Sequence, residues 1–287
     1  MEQSYAFNIT KLFPIVILLF LSTFKLNAQC EPVCKDNTKI YLCYESTVEV
    51  LPEDVLKPIQ PECLKDMVVD IFQNGDSLGN QVSYLLAGQT LDVRLTDTLS
   101  HFTCQSTITI ERDSTPPTAV CDEFTVTTLP LDGYAVLCAD NFDSGSYDNC
   151  FLQSIKIRRM DDNSSFKNCI RVSCSDVGAP IMVILQATDY EGLTDICMIE
   201  LSVQEKIAPV INCPDDIDIS CKFDPFDVNV TGIATATDNC HVKEITHTDS
   251  DLRNDCGVGV IERTWMATDD AGNTSTCVQK IRTIWER

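Results

Sequence analysis

The stretch Ala267-Thr-Asp-Asp-Ala-Gly-Asn-Thr-Ser-Thr-Cys277 leads from the end of a hydrophobic run, through a Thr-Asp pair and a turn, to a closing cysteine. Similar stretches contain Thr96-Asp97 and Thr188-Asp189 and end at Cys104 and Cys197. Each closing cysteine belongs to a set with an opening cysteine and a middle cysteine. The opening and middle cysteines are Cys34 and Cys63, Cys121 and Cys150, and Cys213 and Cys240. Successive opening cysteines are 87 and then 92 residues apart, so the chain contains three copies of one small domain.

Each copy is composed of short stretches in which apolar and polar residues alternate. Leu91, Val93 and Leu95 alternate in this way before the first Thr-Asp pair, and Val183 and Leu185 occupy the matching places in the second copy. A period of two is typical of strands with one buried face. Many short strands separated by turn residues predict an all-β fold of antiparallel, immunoglobulin-like sandwiches.

The start of the chain has the features of a secretory signal peptide. Leu12–Phe24 is apolar, lysines flank it, and Ala28 is suitable for cleavage. The predicted domains are a signal peptide (1–28) and three sandwiches (29–113, 114–205 and 206–287). Proline-containing linkers between the sandwiches are short and stiff, which predicts an elongated rod.

Composition predicts an exported protein. All 16 cysteines lie after the predicted cleavage site, and this density outside the cytoplasm favours disulfides. The formal net charge of −22 repels nucleic acid and anionic membranes. We therefore expect no nucleic-acid partner and no membrane insertion.

The third copy resembles a hyalin repeat (HYR) domain. The resemblance depends on Ala208-Pro-Val-Ile-Asn-Cys-Pro-Asp-Asp-Ile217, Thr237-Asp-Asn-Cys240 and the stretch that ends at Cys277. The second copy is a looser match, with Tyr147-Asp-Asn-Cys150 but Leu193 where the family tends to have Asn. The resemblance implies immunoglobulin-like adhesive modules, which in Bacteroidota occur in exported surface proteins. It implies no catalytic residues.

The opening and closing cysteines of each copy are expected to form disulfides. In a sandwich whose first and last strands are neighbours, these positions come within bridging distance. The expected bridges are Cys34–Cys104, Cys121–Cys197 and Cys213–Cys277. In the chain-entropy model, a disulfide that closes a loop of this length stabilises the folded state by about 4 kcal/mol.

The other cysteines are less constrained by the repeat. Cys43 with Cys63 and Cys240 with Cys256 are the expected pairs of the first and third copies. In the second copy the sequence does not choose among the pairings of Cys138, Cys150, Cys169 and Cys174. Cys30 and Cys221 remain, and an odd cysteine in an exported protein pairs between domains or between chains.

Acidic turns follow the Thr-Asp pairs and admit two interpretations. The residues are Asp97 in the first copy, Asp189 and Glu191 in the second, and Asp269, Asp270 and Asn273 in the third. Clustered oxygen ligands near domain ends suit calcium, with Asp189, Glu191, Asp269, Asp270 and Asn273 as the ligands. The same residue types also form tight turns through local hydrogen bonds.

We expect no enzyme activity and no cofactor other than calcium. His101, His241 and His247 lack a nucleophile motif or a metal-binding helix around them. The predicted function is a secreted or cell-surface module for adhesion or structure, including a subunit of an extracellular filament or matrix. Its partners would be extracellular proteins, glycans or copies of itself. The alternative is a carbohydrate-binding accessory region of a longer extracellular hydrolase.

Overall fold

The computed structural model describes residues 31–255 and 257–285. The predicted signal peptide (1–28), Cys30 and Cys256 lie outside these residues. The regular secondary structure of the described chain is mostly strand, as predicted, and its two α-helices are single turns. None of its helices has the length and apolar character needed to cross a membrane.

The first repeat contains seven strands and one helical turn. They are β1 (Asn37–Leu42), β2 (Thr47–Glu49), α1 (Pro52–Val55), β3 (Met67–Gln73), β4 (Asp76–Gly79), β5 (Gln81–Ser83), β6 (Thr90–Asp97) and β7 (Thr103–Arg112). Two 3-10 helices cover Pro61–Asp66 and Tyr84–Leu86. One sheet has the order β1-β7-β6-β3-β4, and the other pairs β2 with β5.

The second repeat has a four-stranded and a two-stranded sheet. Its strands are β8 (Phe124–Thr128), β9 (Tyr134–Cys138), β10 (Leu152–Arg159), β11 (Cys169–Ser173), β12 (Ile181–Asp189) and β13 (Thr194–Gln204), and two 3-10 helices cover Ala139–Asn141 and Cys174–Asp176. The sheets have the orders β10-β12-β13-β8 and β11-β9. The first strand, β8, pairs with the last, β13, in parallel.

The third repeat keeps the larger sheet of the second. Its elements are β14 (Val210–Asn212), β15 (Ile217–Ser220), α2 (Val228–Thr231), β16 (Thr235–Thr237), β17 (Val242–Asp251), β18 (Gly259–Asp269) and β19 (Thr274–Ile284). The sheet order is β15-β19-β18-β17, with β15 and β19 again parallel, and β14 pairs with β16. Gly232 ends α2 with a φ of 94°, and a Cβ at this position would lie 2.9 Å from Cβ of Pro214. Glycine is therefore required at this turn.

The packing of the second repeat is that of a sandwich. Ile170 and Val172 of the small sheet belong to the same buried cluster as Val183, Leu185 and Ile199 of the large sheet. Side chains from the facing sides of two sheets thus form one core. The inward residues predicted from the alternating pattern are the buried ones, and the multidomain, immunoglobulin-like all-β fold is as expected.

By backbone proximity the chain divides into two compact units. One comprises residues up to 38 together with 50–80 and 91–108, and the other comprises 39–49, 81–90 and the chain from 109 onward. The buried side chains of the first unit include Val69, Ile71, Val93, Leu95 and Ile108. The second unit contains the second and third repeats and two segments of the first. The boundaries of the three domains and the rod-like arrangement stay predictions.

Candidate functional site at the repeat junctions

The opening and closing cysteines of each repeat are bonded to each other. The structure contains Cys34–Cys104, Cys121–Cys197 and Cys213–Cys277, with Cα–Cα distances of 5.8, 6.3 and 5.9 Å. In the second and third repeats the reason is the parallel pairing of the first and last strands, because the opening and closing cysteines stand the same number of residues before paired positions and so lie side by side.

Two of the remaining pairings differ from the prediction. Cys43 is bonded to Cys150 at a Cα–Cα distance of 5.2 Å, and Cys240 to Cys174 at 5.5 Å, so the expected pairs Cys43–Cys63 and Cys240–Cys256 are wrong. The prediction assumed that each repeat closes its own bridges, whereas these two link consecutive repeats. The other bridge of the second repeat, Cys138–Cys169, joins directly opposed residues of β9 and β11. Cys63 also forms a disulfide, and Cys221 is a free thiol.

Aromatic residues surround the bridge Cys43–Cys150, a region that we call the first junction. Tyr44 stacks on Tyr190 with ring centroids 4.9 Å apart and meets Tyr84 edge-on at 5.3 Å. The Tyr84 hydroxyl donates a 2.5 Å hydrogen bond to Glu191 Oε1, which raises the pKa of the phenol. Arg112 lies over the Tyr84 ring and pairs with Glu191 at 3.6 Å. Stacked rings and charged hydrogen bonds thus reinforce the covalent link.

A second junction surrounds the bridge Cys174–Cys240. Asn239 Nδ2 donates to the carbonyl of Pro130 at 3.3 Å. Gly133 has a φ of 73°, and a Cβ there would lie 2.6 Å from the Asn239 carbonyl oxygen. The second and third repeats therefore approach closely at a point where only glycine fits.

Asp113 and Asp148 lie close together at the first junction, and Asp189 lines the same small cavity as Asp113; we call these three carboxylates the first acidic cluster. Asp113 follows β7, Asp148 precedes Asn149-Cys150, and Asp189 ends β12. A carboxylate oxygen of Asp113, one of Asp148 and the sulfur of Cys150 lie within 4.8 Å of one another. Asp113 and Asp189 line one cavity of about 10 Å³ and are only 8% and 1% exposed.

The residues at the corresponding positions between the second and third repeats form a second acidic cluster. Glu205 follows β13, Asp238 precedes Asn239-Cys240, and Asp269 ends β18. Burial raises the pKa of Glu205, and its hydrogen bond with Asp269 and the charge of Asp238 raise it further. Burial also acts to raise the pKa of Asp269, but hydrogen bonds from Asn273 and Glu205 outweigh it and leave that pKa lowered.

The residues proposed from sequence as calcium ligands fall into two groups. Asp189 and Asp269 belong to the acidic clusters, and Asn273 contacts the second one. Glu191 instead pairs with Tyr84 and Arg112, while the exposed Asp270 pairs with His241 at 3.0 Å. The carboxylates that sequence reasoning missed are Asp113, Asp148, Glu205 and Asp238. Asp148 and Asp238 carried a signal, because each stands in a repeated Asp-Asn-Cys.

Searches against known proteins give structural similarity only. No family model matches the chain, and no curated protein matches it. A three-domain immunoglobulin structure of titin, a Glu-to-Ala variant, superposes with a TM-score of 0.35 at 10% identity, covering 88% of this chain and 98% of that one. The N-terminal four immunoglobulin domains of Dscam1 isoform 8.4 superpose with a TM-score of 0.30 at 10% identity, covering 88% and 72%. At these values the fold assignment depends on the strand order and register described above.

Proposed function

We propose that the chain is an exported structural or adhesive module of a cell surface or extracellular matrix, with extracellular proteins or glycans as its partners. Support comes from the disulfides, which persist in oxidising compartments. The acidic composition, with 43 acidic and 21 basic residues, suits an exposed protein that must stay soluble.

The observation that carries the proposal is the overlap of the disulfide loops. The loop closed by Cys34–Cys104 overlaps that of Cys43–Cys150, which overlaps that of Cys121–Cys197. The series continues through Cys174–Cys240 to Cys213–Cys277. Every residue from 34 to 277 therefore lies inside at least one closed loop.

This overlap limits how far the chain can be extended by force. The shortest covalent path from residue 34 to residue 277 crosses three bridges and uses only the 17 residues from Cys104 to Cys121 and the 16 from Cys197 to Cys213. At about 3.4 Å per residue, these 33 residues extend to roughly 110 Å, whereas the 243 residues of a reduced chain would reach about 830 Å. A module that bears tension between two attachment points gains from such a limit.

Single-molecule force spectroscopy on the secreted mature chain, held at its two ends, tests this idea. We expect the oxidised protein to extend by little between residues 34 and 277, and the protein reduced with dithiothreitol to release several-fold more length. The variant Cys43→Ser/Cys150→Ser is the matched control, because it removes a bridge that the shortest path does not use. Large extension of the oxidised protein, or recovery of the protein only from the cytoplasm with reduced thiols, would contradict the proposal.

The carbohydrate-binding alternative needs a planar set of exposed aromatic rings. Of the candidates, Trp265 is buried in the third repeat and Tyr134 lies beneath the Arg171 guanidinium at 3.8 Å. Trp285 and Tyr147 are exposed but belong to different repeats. Titration with soluble polysaccharides while following Trp285 fluorescence distinguishes the alternatives, since saturable quenching would favour the accessory module.

A further inference from the structure

The first acidic cluster contains carboxylate oxygens that no group in the described chain satisfies. Oδ2 of Asp113, Oδ1 of Asp148 and Oδ2 of Asp189 are buried and have no hydrogen-bond partner. Asp113 and Asp189 are each more than nine-tenths buried. Burying an unpaired carboxylate is strongly unfavourable, and the close approach of Asp113 and Asp148 adds repulsion between like charges.

The other oxygen of each carboxylate is held in place. Asp113 Oδ1 accepts from the Thr115 amide at 3.0 Å and from Asn149 Nδ2 at 3.1 Å. Asp148 Oδ2 accepts from the Cys150 amide at 2.8 Å, and Asp189 Oδ1 from the Leu193 amide at 2.8 Å. Such outer hydrogen bonds orient ligands toward a bound ion.

The second acidic cluster shows what the first one lacks. Asn273 Nδ2 donates to Glu205 Oε2 at 2.5 Å and to Asp269 Oδ2 at 2.7 Å, so one amide satisfies two carboxylates. The matching residue of the second repeat, four positions after Asp189 as Asn273 is after Asp269, is Leu193. A leucine side chain cannot donate a hydrogen bond, so all three carboxylates of the first cluster keep an unpaired buried oxygen, whereas in the second cluster only Asp238 Oδ1 is unpaired.

We propose that the first acidic cluster binds a divalent cation, Ca²⁺, through Asp113, Asp148 and Asp189. Calcium takes six to eight oxygen ligands, accepts carboxylates in one- or two-oxygen contacts, and completes its shell with water. The sulfur of Cys150 is excluded as a ligand because it is bonded to Cys43 and is not a thiolate. The site is independent of the mechanical role proposed above, and at the first junction it would join the end of the first repeat to two segments of the second.

Isothermal titration calorimetry of the EGTA-treated mature chain with CaCl₂ tests the proposal, and a titration with MgCl₂ serves as the comparison. We expect binding with a dissociation constant between about 10⁻⁴ and 10⁻³ M, the range of extracellular calcium modules. Asp113→Asn and Asp189→Asn should weaken this binding about tenfold or more, because each removes a charge while the amide oxygen can still accept the existing hydrogen bonds. The half-buried Asp148→Asn serves as a third variant if the others fail to fold, judged by circular dichroism and by the mass of the unreduced protein.

Two further variants separate the clusters. Glu205→Gln alters only the second cluster and should leave the affinity of the first unchanged. Leu193→Asn supplies the amide that the third repeat has, so it should weaken calcium binding and raise the melting temperature in EGTA. The proposal is overturned if the wild-type chain shows no calcium binding at about 10 mM, a concentration well above this affinity range. It is also overturned if binding survives unchanged in Asp113→Asn and Asp189→Asn, or is lost instead in Glu205→Gln.

Discussion

The large sheets of the second and third repeats have the same strand order, but one central, buried pair of residues differs in chemistry between them. On β12 and β13 the directly opposed pair is Val183 and Ile199, both fully buried. At the equivalent register of β18 and β19, the pair is Arg263 and Gln279, also fully buried. The same strand pairing therefore accommodates an apolar buried pair in one repeat and a polar buried pair in the other.

The third repeat contains a buried polar network centred on Arg263. Its Nε and Nη2 donate to the two carboxylate oxygens of Asp249 at 2.7 and 2.8 Å. Nη1 donates to Thr231 Oγ1 at 2.9 Å, and Nη2 also donates to the carbonyls of Pro225 and Phe226 at 3.3 and 3.4 Å. Each of the three guanidinium nitrogens thus has an acceptor, and the charge is paired, which is the condition under which a buried arginine is tolerated.

The difference between the cores follows from the elements that cover them. In the second repeat β9 and β11 pair with each other, so their backbone groups are satisfied within the small sheet. The third repeat is ten residues shorter between its middle cysteine and its Thr-Asp aspartate, and the described residues of this segment form β17 and β18 with no counterpart of β11. Before the middle cysteine, α2 and irregular chain replace β9. Carbonyls of Asp215 and Thr231 are left facing the interior, and Gln279 Nε2 donates to them at 3.0 and 2.6 Å. Lost strand pairing is therefore replaced by side-chain donors, because buried carbonyls must be hydrogen-bonded.

The most severe test of this comparison is Arg263→Met. Methionine fills much of the same volume but leaves Asp249, Thr231 and two carbonyls without donors. Removal of one partner from a buried pair costs about 3–5 kcal/mol. Both tryptophans of the chain, Trp265 and Trp285, belong to the third repeat, so denaturant unfolding followed by tryptophan fluorescence reports on this repeat.

Arg282→Met is the matched control for Arg263→Met. Arg282 lies on the neighbouring strand β19 and pairs with Asp218 at 3.1 Å, but both side chains are more than half exposed. The loss of such a pair should change the free energy of unfolding by less than about 1 kcal/mol. Equal effects of the two variants would show that the buried network contributes nothing beyond an ordinary surface ion pair.

Exchanging Gln279 and Ile199, the β19 and β13 members of the two buried pairs, should change the free energy of unfolding by less than Arg263→Met does. Gln279→Ile gives the third repeat the residue of the second, but it removes the donor to Asp215 and Thr231 and the acceptor for Trp265 Nε1. A buried polar group that loses its partner costs about 1–3 kcal/mol. Ile199→Gln in the second repeat should cost a similar amount, since its apolar neighbours offer no partner. Hydrogen exchange of the β12 and β13 amides measures the latter, and a neutral result for either exchange would mean that the two cores are interchangeable.

Much of the frame was predictable from sequence. The alternation of Leu91, Val93 and Leu95, and of Val183 and Leu185, places these residues in buried strand faces, where the structure has them. The cysteine spacing also located the strands that begin and end each repeat. Local periodicity determines these features, because a strand with one buried face needs little information from the rest of the chain.

The junctions were less accessible to sequence reasoning. The bonds Cys43–Cys150 and Cys174–Cys240 depend on how consecutive repeats meet, which no pattern within a repeat encodes. An arginine in a strand of alternating residues is normally predicted to face solvent, yet Arg263 is fully buried. The burial of Arg263 is explained by its acceptors, which include Thr231 Oγ1 and the Pro225 carbonyl. Both belong to residues more than thirty positions away in the sequence, so local sequence does not predict them.

The smallest expected effect is a difference in acid sensitivity that depends on Asp249. Hydrogen bonds from Arg263 lower the pKa of the Asp249 carboxyl below its ordinary value of 3.8, with burial opposing the shift; the charges of Arg263 and His247 lower it further, and that of Asp251 raises it. A lowered pKa in the folded state means that the stabilisation is present above pH 3.8 and is lost as the pH falls through the folded-state pKa.

The denaturation midpoint reported by tryptophan fluorescence should thus decline as the pH falls from about 5 to 2. This decline should be shallower in Arg263→Met, which no longer holds the carboxyl in its charged form, and unchanged in Arg282→Met. Parallel declines in all three proteins would mean that acid acts through other carboxylates and that the buried pair does not distinguish the third repeat from the second.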